Sequence, residues 1–174
     1  MTDTATTHHV RAFIALGANL GEPLAQLDSA VAALNQQPGV TCIAMSKVYL
    51  SKPHGPQDQP DFTNAVVKIR TVLSAEQLLD TLQAIEFKHG RKRQEHWGAR
   101  TLDLDIILFG NQQINTPRLT IPHPRAFERE FVIRPLADLD ADLVIANRGR
   151  VKDLLKRLPA NTMETIRNVT TDYC

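Results

Sequence analysis

The sequence predicts an α+β fold, an antiparallel sheet with helices packed on it. Short apolar runs rich in β-branched and aromatic residues alternate with two stretches of helical spacing. Clusters of Gly, Pro and Asn separate them. The length of 174 residues suits a single core.

Val10 to Leu16 reads as a buried strand, broken by Gly17-Ala18-Asn19-Leu20-Gly21. Leu24, Leu27, Val31 and Leu34 then recur at helical spacing, with Pro23 in the first turn and Pro38-Gly39 as the stop. Val40 to Leu50 is a second strand. Ser51 to Asp61 holds Pro53, Pro56, Pro60 and Gly55, and is a loop. Phe62 to Val72 is a third strand. Ser74 and Gln77 form a capping box for a helix whose apolar face carries Leu78, Leu82 and Ile85, ending near Gly90. Leu102 to Phe109 is the fourth strand. Beyond it, Pro117, Pro122 and Pro124 mark loop, Phe131-Val132-Ile133 suggests a short strand, and Val151 to Leu158 a short helix.

The order βαββαβ from Val10 to Phe109 is the ferredoxin-like pattern, with helices on one face of the sheet. The whole chain, 1–174, is expected to be one domain, with 1–9 a loose tail and 146–174 a C-terminal extension. That topology hosts many functions, so the chemistry must be read from particular residues.

Lys plus Arg number 20 and Asp plus Glu 19, a net +1 that provides no global field for nucleic acid or anionic lipid. Met1 to His9 is polar, unlike a secretory signal. Cys42 and Cys174 make neither a disulfide framework nor a zinc spacing. A soluble cytoplasmic monomer is expected, without nucleic-acid or membrane partners.

In Leu102-Asp103-Leu104-Asp105-Ile106-Ile107-Leu108-Phe109, alternation puts Asp103 and Asp105 on one face and Leu102, Leu104, Ile106 and Leu108 on the other. The two carboxylates start about 7 Å apart and repel unless something positive lies between them. Mg²⁺ suits such a pair, because it takes oxygen ligands and is often shared with phosphates. A solvated strand face is the plainer alternative. Just upstream, Lys88, Arg91, Lys92, Arg93 and Arg100 face only Glu95, so five minus one leaves a local +4. Guanidinium forks bind phosphate bidentately, although a solvated basic loop is the commoner meaning of such a run. No GxxxxGK[ST] string occurs, which excludes a P-loop. Trp97, Phe62 and Phe131 offer ring faces, and Asn64 an amide that both donates and accepts. Core packing is the alternative use for each Phe. His123, held between Pro122 and Pro124, can donate to a phosphate.

Four strings together resemble the 6-hydroxymethyl-7,8-dihydropterin pyrophosphokinase family. They are Gly55-Pro56-Gln57-Asp58-Gln59-Pro60-Asp61-Phe62-Thr63-Asn64, Arg91-Lys92-Arg93, Trp97-Gly98-Ala99-Arg100-Thr101-Leu102-Asp103-Leu104-Asp105 and Pro122-His123-Pro124-Arg125. The resemblance implies transfer of the pyrophosphoryl group of ATP to the hydroxymethyl oxygen of the reduced pterin, releasing AMP, in folate biosynthesis. It implies two Mg²⁺ ions on Asp103 and Asp105, with ATP as co-substrate, and Arg91 and Arg100 as catalytic phosphate contacts beside the two acids. The pterin is expected between Phe62 and Phe131, with Asn64 at its edge and Ser51, Pro53, His54 and Trp97 around it. Gln83, Glu86, Arg93, Ile106, Arg118, Thr120 and His123 are expected around the nucleotide. The chemistry needs positioning and charge neutralisation, and no general base is assigned. An RNA-recognition domain, the rival use of this topology, needs an aromatic-rich strand motif that the chain lacks.

Overall fold

The computed structural model describes residues 8–52, 61–90, 102–159, 163–171 and 173. It is a mixed α/β structure built on an antiparallel sheet. Strand β1 (Val10–Ala18) is followed by α1 (Pro23–Asn35), β2 (Val40–Met45), β3 (Val48–Ser51), β4 (Phe62–Thr71), α2 (Ala75–Lys88) and β5 (Asp103–Phe109). The remainder adds β6 (Ile114–Asn115), β7 (Thr120–Ile121), α3 (Glu130–Asp140), β8 (Val144–Ile145), β9 (Gly149–Arg150), α4 (Val151–Lys156) and β10 (Glu164–Arg167). The main sheet runs β10-β3-β4-β1-β5, with β2 also paired to β4.

Local chemistry explains where the two long helices begin. Pro23 opens α1, where its missing N–H costs nothing. At α2, Ser74 Oγ accepts from Gln77 N at 3.1 Å and Gln77 Oε1 accepts from Ser74 N at 2.9 Å, the reciprocal cap its sequence predicts. Leu27, Val31 and Leu34 of α1 and Leu78, Leu82 and Ile85 of α2 bury against Ile14, Val67 and Ile69 of the sheet.

Several expectations are corrected. The Val40–Leu50 run is two strands, because the side chain of Ser46 takes over one rung of the ladder. Its Oγ accepts the Val66 N–H at 2.8 Å, while its own N–H donates to Val66 O. Ser46 is fully buried, so Ser46→Ala should lower unfolding free energy by about 1–3 kcal/mol through the orphaned Val66 N–H, measurable by urea denaturation. Phe131-Val132-Ile133 is helical, in the first turns of α3. Its β-branched content favours a strand locally, but Val132, Ile133 and Leu136 bury together at helical spacing. Helices therefore cover both faces of the sheet, α1 and α2 on one and α3 with α4 on part of the other. The Pro-rich stretch after β5 holds the small β6–β7 pair.

Leu108 also lies on the opposite face from the one alternation predicts. Phe13 pairs with Leu108 and Ile14 with Ile106, so Ile107 is bulged out of register. Leu108 and Ile107 then join the second core while Phe109 returns to the first. The C-terminal extension completes the sheet. Strand β10 pairs with β3, Met45 and Thr170 exchange two backbone bonds of 2.8 and 3.0 Å, and Arg167 grips Asp28 of α1 at 2.8 and 2.9 Å.

Candidate active site

Four strands bring one residue each into a single row on the face of α3. Tyr49 of β3 pairs with Asn64 of β4, Asn64 with Gly17 of β1, and Gly17 with Asp103 of β5. The neighbouring row runs Val66–Ala15–Asp105. Gly17 and Ala15 leave the central strand almost bare, flanked by an amide on one side and two carboxylates on the other. That bare strip floors a cavity of about 400 Å³, lined also by Ser51, Phe62, His123, Phe131 and Arg129.

Gly17 sits in a regular strand, and the need for glycine there is space. A Cβ at this position meets Asn64 Oδ1 at 3.1 Å. Asn64 cannot retreat easily, since it is buried and its Nδ2 donates to Ser51 Oγ at 2.8 Å. Gly17→Ala should displace the Asn64 amide and weaken a flat ligand at that end roughly tenfold, about 1.4 kcal/mol, read by titration.

The carboxylates are held by the strand and by its outer edge. Asp103 is half-buried and Asp105 exposed. Between them, Leu104 donates its N–H to Glu86 Oε2 of α2 at 3.0 Å. Downstream, the bulged Ile107 accepts the backbone N–H of His123 at 3.1 Å, which seats the histidine beside the acids. Burial holds the His123 imidazole below its ordinary pKa, Asp105 pulls it up, and Arg129 pushes it down again. Its Nδ1 accepts from Arg125 N at 3.3 Å, so the neutral ring carries its hydrogen on Nε2.

Of the residues expected from sequence, Ser51, Phe62, Asn64, Asp103, Asp105, His123 and Phe131 line this one cavity. Ile106 points into the opposite core, and Glu86 is buried against β5. Gln83 and Thr120 are exposed outside the lining, and Arg118 is held by Asp80 at 2.6 Å and Glu76 at 3.0 Å. Pro53, His54, Arg91, Arg93, Trp97 and Arg100 lie outside the described residues. Sequence reasoning missed Gly17, treated as a turn residue, although a glycine inside an apolar strand run signals close approach to its face. It also missed Arg129, whose guanidinium stacks 5.6 Å from the Phe131 ring centroid and for which no motif stands.

The chain matches the 7,8-dihydro-6-hydroxymethylpterin-pyrophosphokinase family over residues 13–165. It is similar to a 2-amino-4-hydroxy-6-hydroxymethyldihydropteridine pyrophosphokinase of Haemophilus influenzae, 49% identical over 154 residues, covering 88% of this chain and 96% of that one. The enzyme of that name from Pseudomonas aeruginosa is 45% identical over 156 residues, covering 90% and 96%. Among solved structures, a Plasmodium falciparum HPPK-DHPS superposes with a TM-score of 0.70 over 88% of this chain and 46% of that longer one. At 13% identity, that likeness speaks for the fold alone. With relatives this similar matched along nearly their whole length, the chain belongs to the 7,8-dihydro-6-hydroxymethylpterin-pyrophosphokinase family.

Proposed function

We propose that the protein transfers the pyrophosphoryl group of ATP to the hydroxymethyl oxygen of 6-hydroxymethyl-7,8-dihydropterin, giving AMP and the pterin diphosphate, a step of folate biosynthesis. The observation that carries this reading is the two-ended cavity. An amide end (Asn64, with Phe62 two residues before it) faces a dicarboxylate end (Asp103, Asp105) across Gly17, and the Phe131 ring lines the same cavity. Two strand spacings separate Asn64 from Asp103, roughly 10 Å, a distance that suits a ring at one end and phosphates at the other.

The donor set fits magnesium. Among the described residues no cluster of three or more His, Cys, Asp or Glu could cage a metal. Two carboxylates alone suit an ion that keeps waters and takes phosphate oxygens. Asp103 and Asp105 would hold two Mg²⁺ ions, which when bound supply neutralisation of the phosphate charge. The remaining work belongs to side chains. Phe62 and Phe131 grip the ring faces, and Asn64 reads the ring edge beside Ser51. His123 stays neutral near pH 7 and offers Nε2–H to a phosphate oxygen. Arg129 adds a cation at the mouth. Orientation of the hydroxymethyl group toward the β-phosphorus is the main catalytic contribution.

Arg91, Arg93 and Arg100 are assigned to the phosphates, and Pro53, His54 and Trp97 to the pterin, on their motifs. Gln83, Glu86, Ile106, Arg118 and Thr120 are assigned to the nucleotide side, and they flank or form β5. The order β5-β1-β4-β3, with α1 and α2 as the crossovers, supports the ferredoxin-like assignment. A monomer in the cytoplasm is proposed as the working unit.

The test is formation of AMP from ATP, Mg²⁺ and the reduced hydroxymethyl pterin by the purified chain, one AMP per pterin diphosphate. Release of ADP instead, or AMP formed without the pterin, would overturn the proposal.

A further inference from the structure

The helix that presents Phe131 carries a proline one turn further on. Pro135 lies inside α3 and has no N–H to give to the carbonyl four residues back, which is that of Phe131. The first turn therefore lacks one of its own rungs. Two side-chain contacts support the helix. Arg134 Nε donates to Glu130 Oε1 at 3.1 Å across that turn. Further along, Tyr49 donates its hydroxyl to Asp138 Oδ2 at 2.6 Å, joining β3 to α3. Asp138 follows Phe131 by seven residues, so the two share one face of the helix, about 10 Å apart along its axis.

Tyr49 is also placed on the site side. It is 3% exposed and lies directly opposite Asn64, two residues before Ser51 in the same strand. Burial pushes both the Tyr49 phenol and the Asp138 carboxyl upward, and the carboxylate raises the phenol further, so the phenol keeps its proton to donate. The Lys47 backbone N–H supplies a second bond to Asp138. The tie thus runs from the strand that carries Ser51 to the helix that carries Phe131, beside the amide end of the cavity.

We propose that Tyr49 and Asp138 are positioning residues, whose bond sets the height of Phe131 above Asn64 and so tunes the grip on the pterin, with no part in holding the nucleotide. This rests on the pterin reading of the cavity.

The experiment compares wild type with Tyr49→Phe, Asp138→Ala and Asp138→Asn. Affinities for the reduced pterin and for a non-hydrolysable ATP analogue with Mg²⁺ are titrated separately, and amide exchange is followed over residues 131–136. Tyr49→Phe and Asp138→Ala should weaken pterin binding at least fivefold, leave the analogue within twofold, and speed exchange in the first turns of α3. Asparagine can accept from Lys47 N–H and donate to the tyrosine oxygen, so Asp138→Asn should restore both readouts. Pterin affinity unchanged in Tyr49→Phe, or pterin and nucleotide affinity lost in equal ratio, overturns the proposal. Exchange of 131–136 that does not respond also overturns it. A wild type that binds the analogue but no pterin refutes the functional reading instead, and the exchange measurement still decides whether the tie holds the helix.

Discussion

Replacing Asp105 with alanine is expected to cut the single-turnover rate by at least about 10³-fold, roughly 4 kcal/mol of barrier. The side chain is exposed at the dicarboxylate end of the cavity, on the same strand face as Asp103. Few packing contacts are lost with it, so thermal stability should hold. On the proposed metal role, what is lost is half of the donor set for the cation, which a lone Asp103 would not replace. Rapid-quench measurement of AMP under saturating substrates tests this directly. The pterin affinity of the variant should match wild type, because Asn64, Phe62 and Phe131 are untouched. A rate within tenfold of wild type would remove Asp105 from the metal site.

The second large effect is expected at Phe131. Phe131→Ala should weaken the reduced pterin roughly 30-fold, about 2 kcal/mol, in the range found for loss of one aromatic stacking partner. Nucleotide affinity should change by less than threefold, since the ring is assigned to the pterin and the acids to the phosphates. Phe131→Tyr should stay near wild type because it keeps the ring face. Equal losses for the two ligands in calorimetric titration would show that the ring supports the cavity as a whole and does not stack on the pterin.

Much of this organisation was readable before any coordinates. The alternation of Asp103 and Asp105 survives intact, because a strand has a strict period of two until something interrupts it. The capping box at Ser74 is a local signal and needed no tertiary information. The failures share a cause. Ser46 interrupts a strand because its hydroxyl meets a rung of β4, and nothing in the run Val40–Leu50 announces that meeting. Phe131 to Ile133 has strand-like composition, and Pro135 argues against a helix, yet the apolar stripe of α3 is buried by the sheet and that burial decides. Strand β10 is polar and short, legible only as the partner of β3. For the site, Asn64, Asp103, Asp105 and His123 stand in recognisable strings and line the cavity, while Gly17 and Arg129, which line it too, were not singled out. Their importance comes from which strand or ring they lie against.

The bulge at Ile107 lets β5 serve two cores and the site at once. Without that residue, Asp103, Asp105 and Leu108 would still share one side, and Leu104, Ile106 and Phe109 the other. The alternation and the acidic pair would therefore survive its deletion, but the second core would lose a side chain that is 1% exposed. Besides that packing, it contributes a carbonyl for His123 N–H. One inserted residue thus anchors a histidine next to the acids and fills part of the second core, while the strand keeps its period of two on either side.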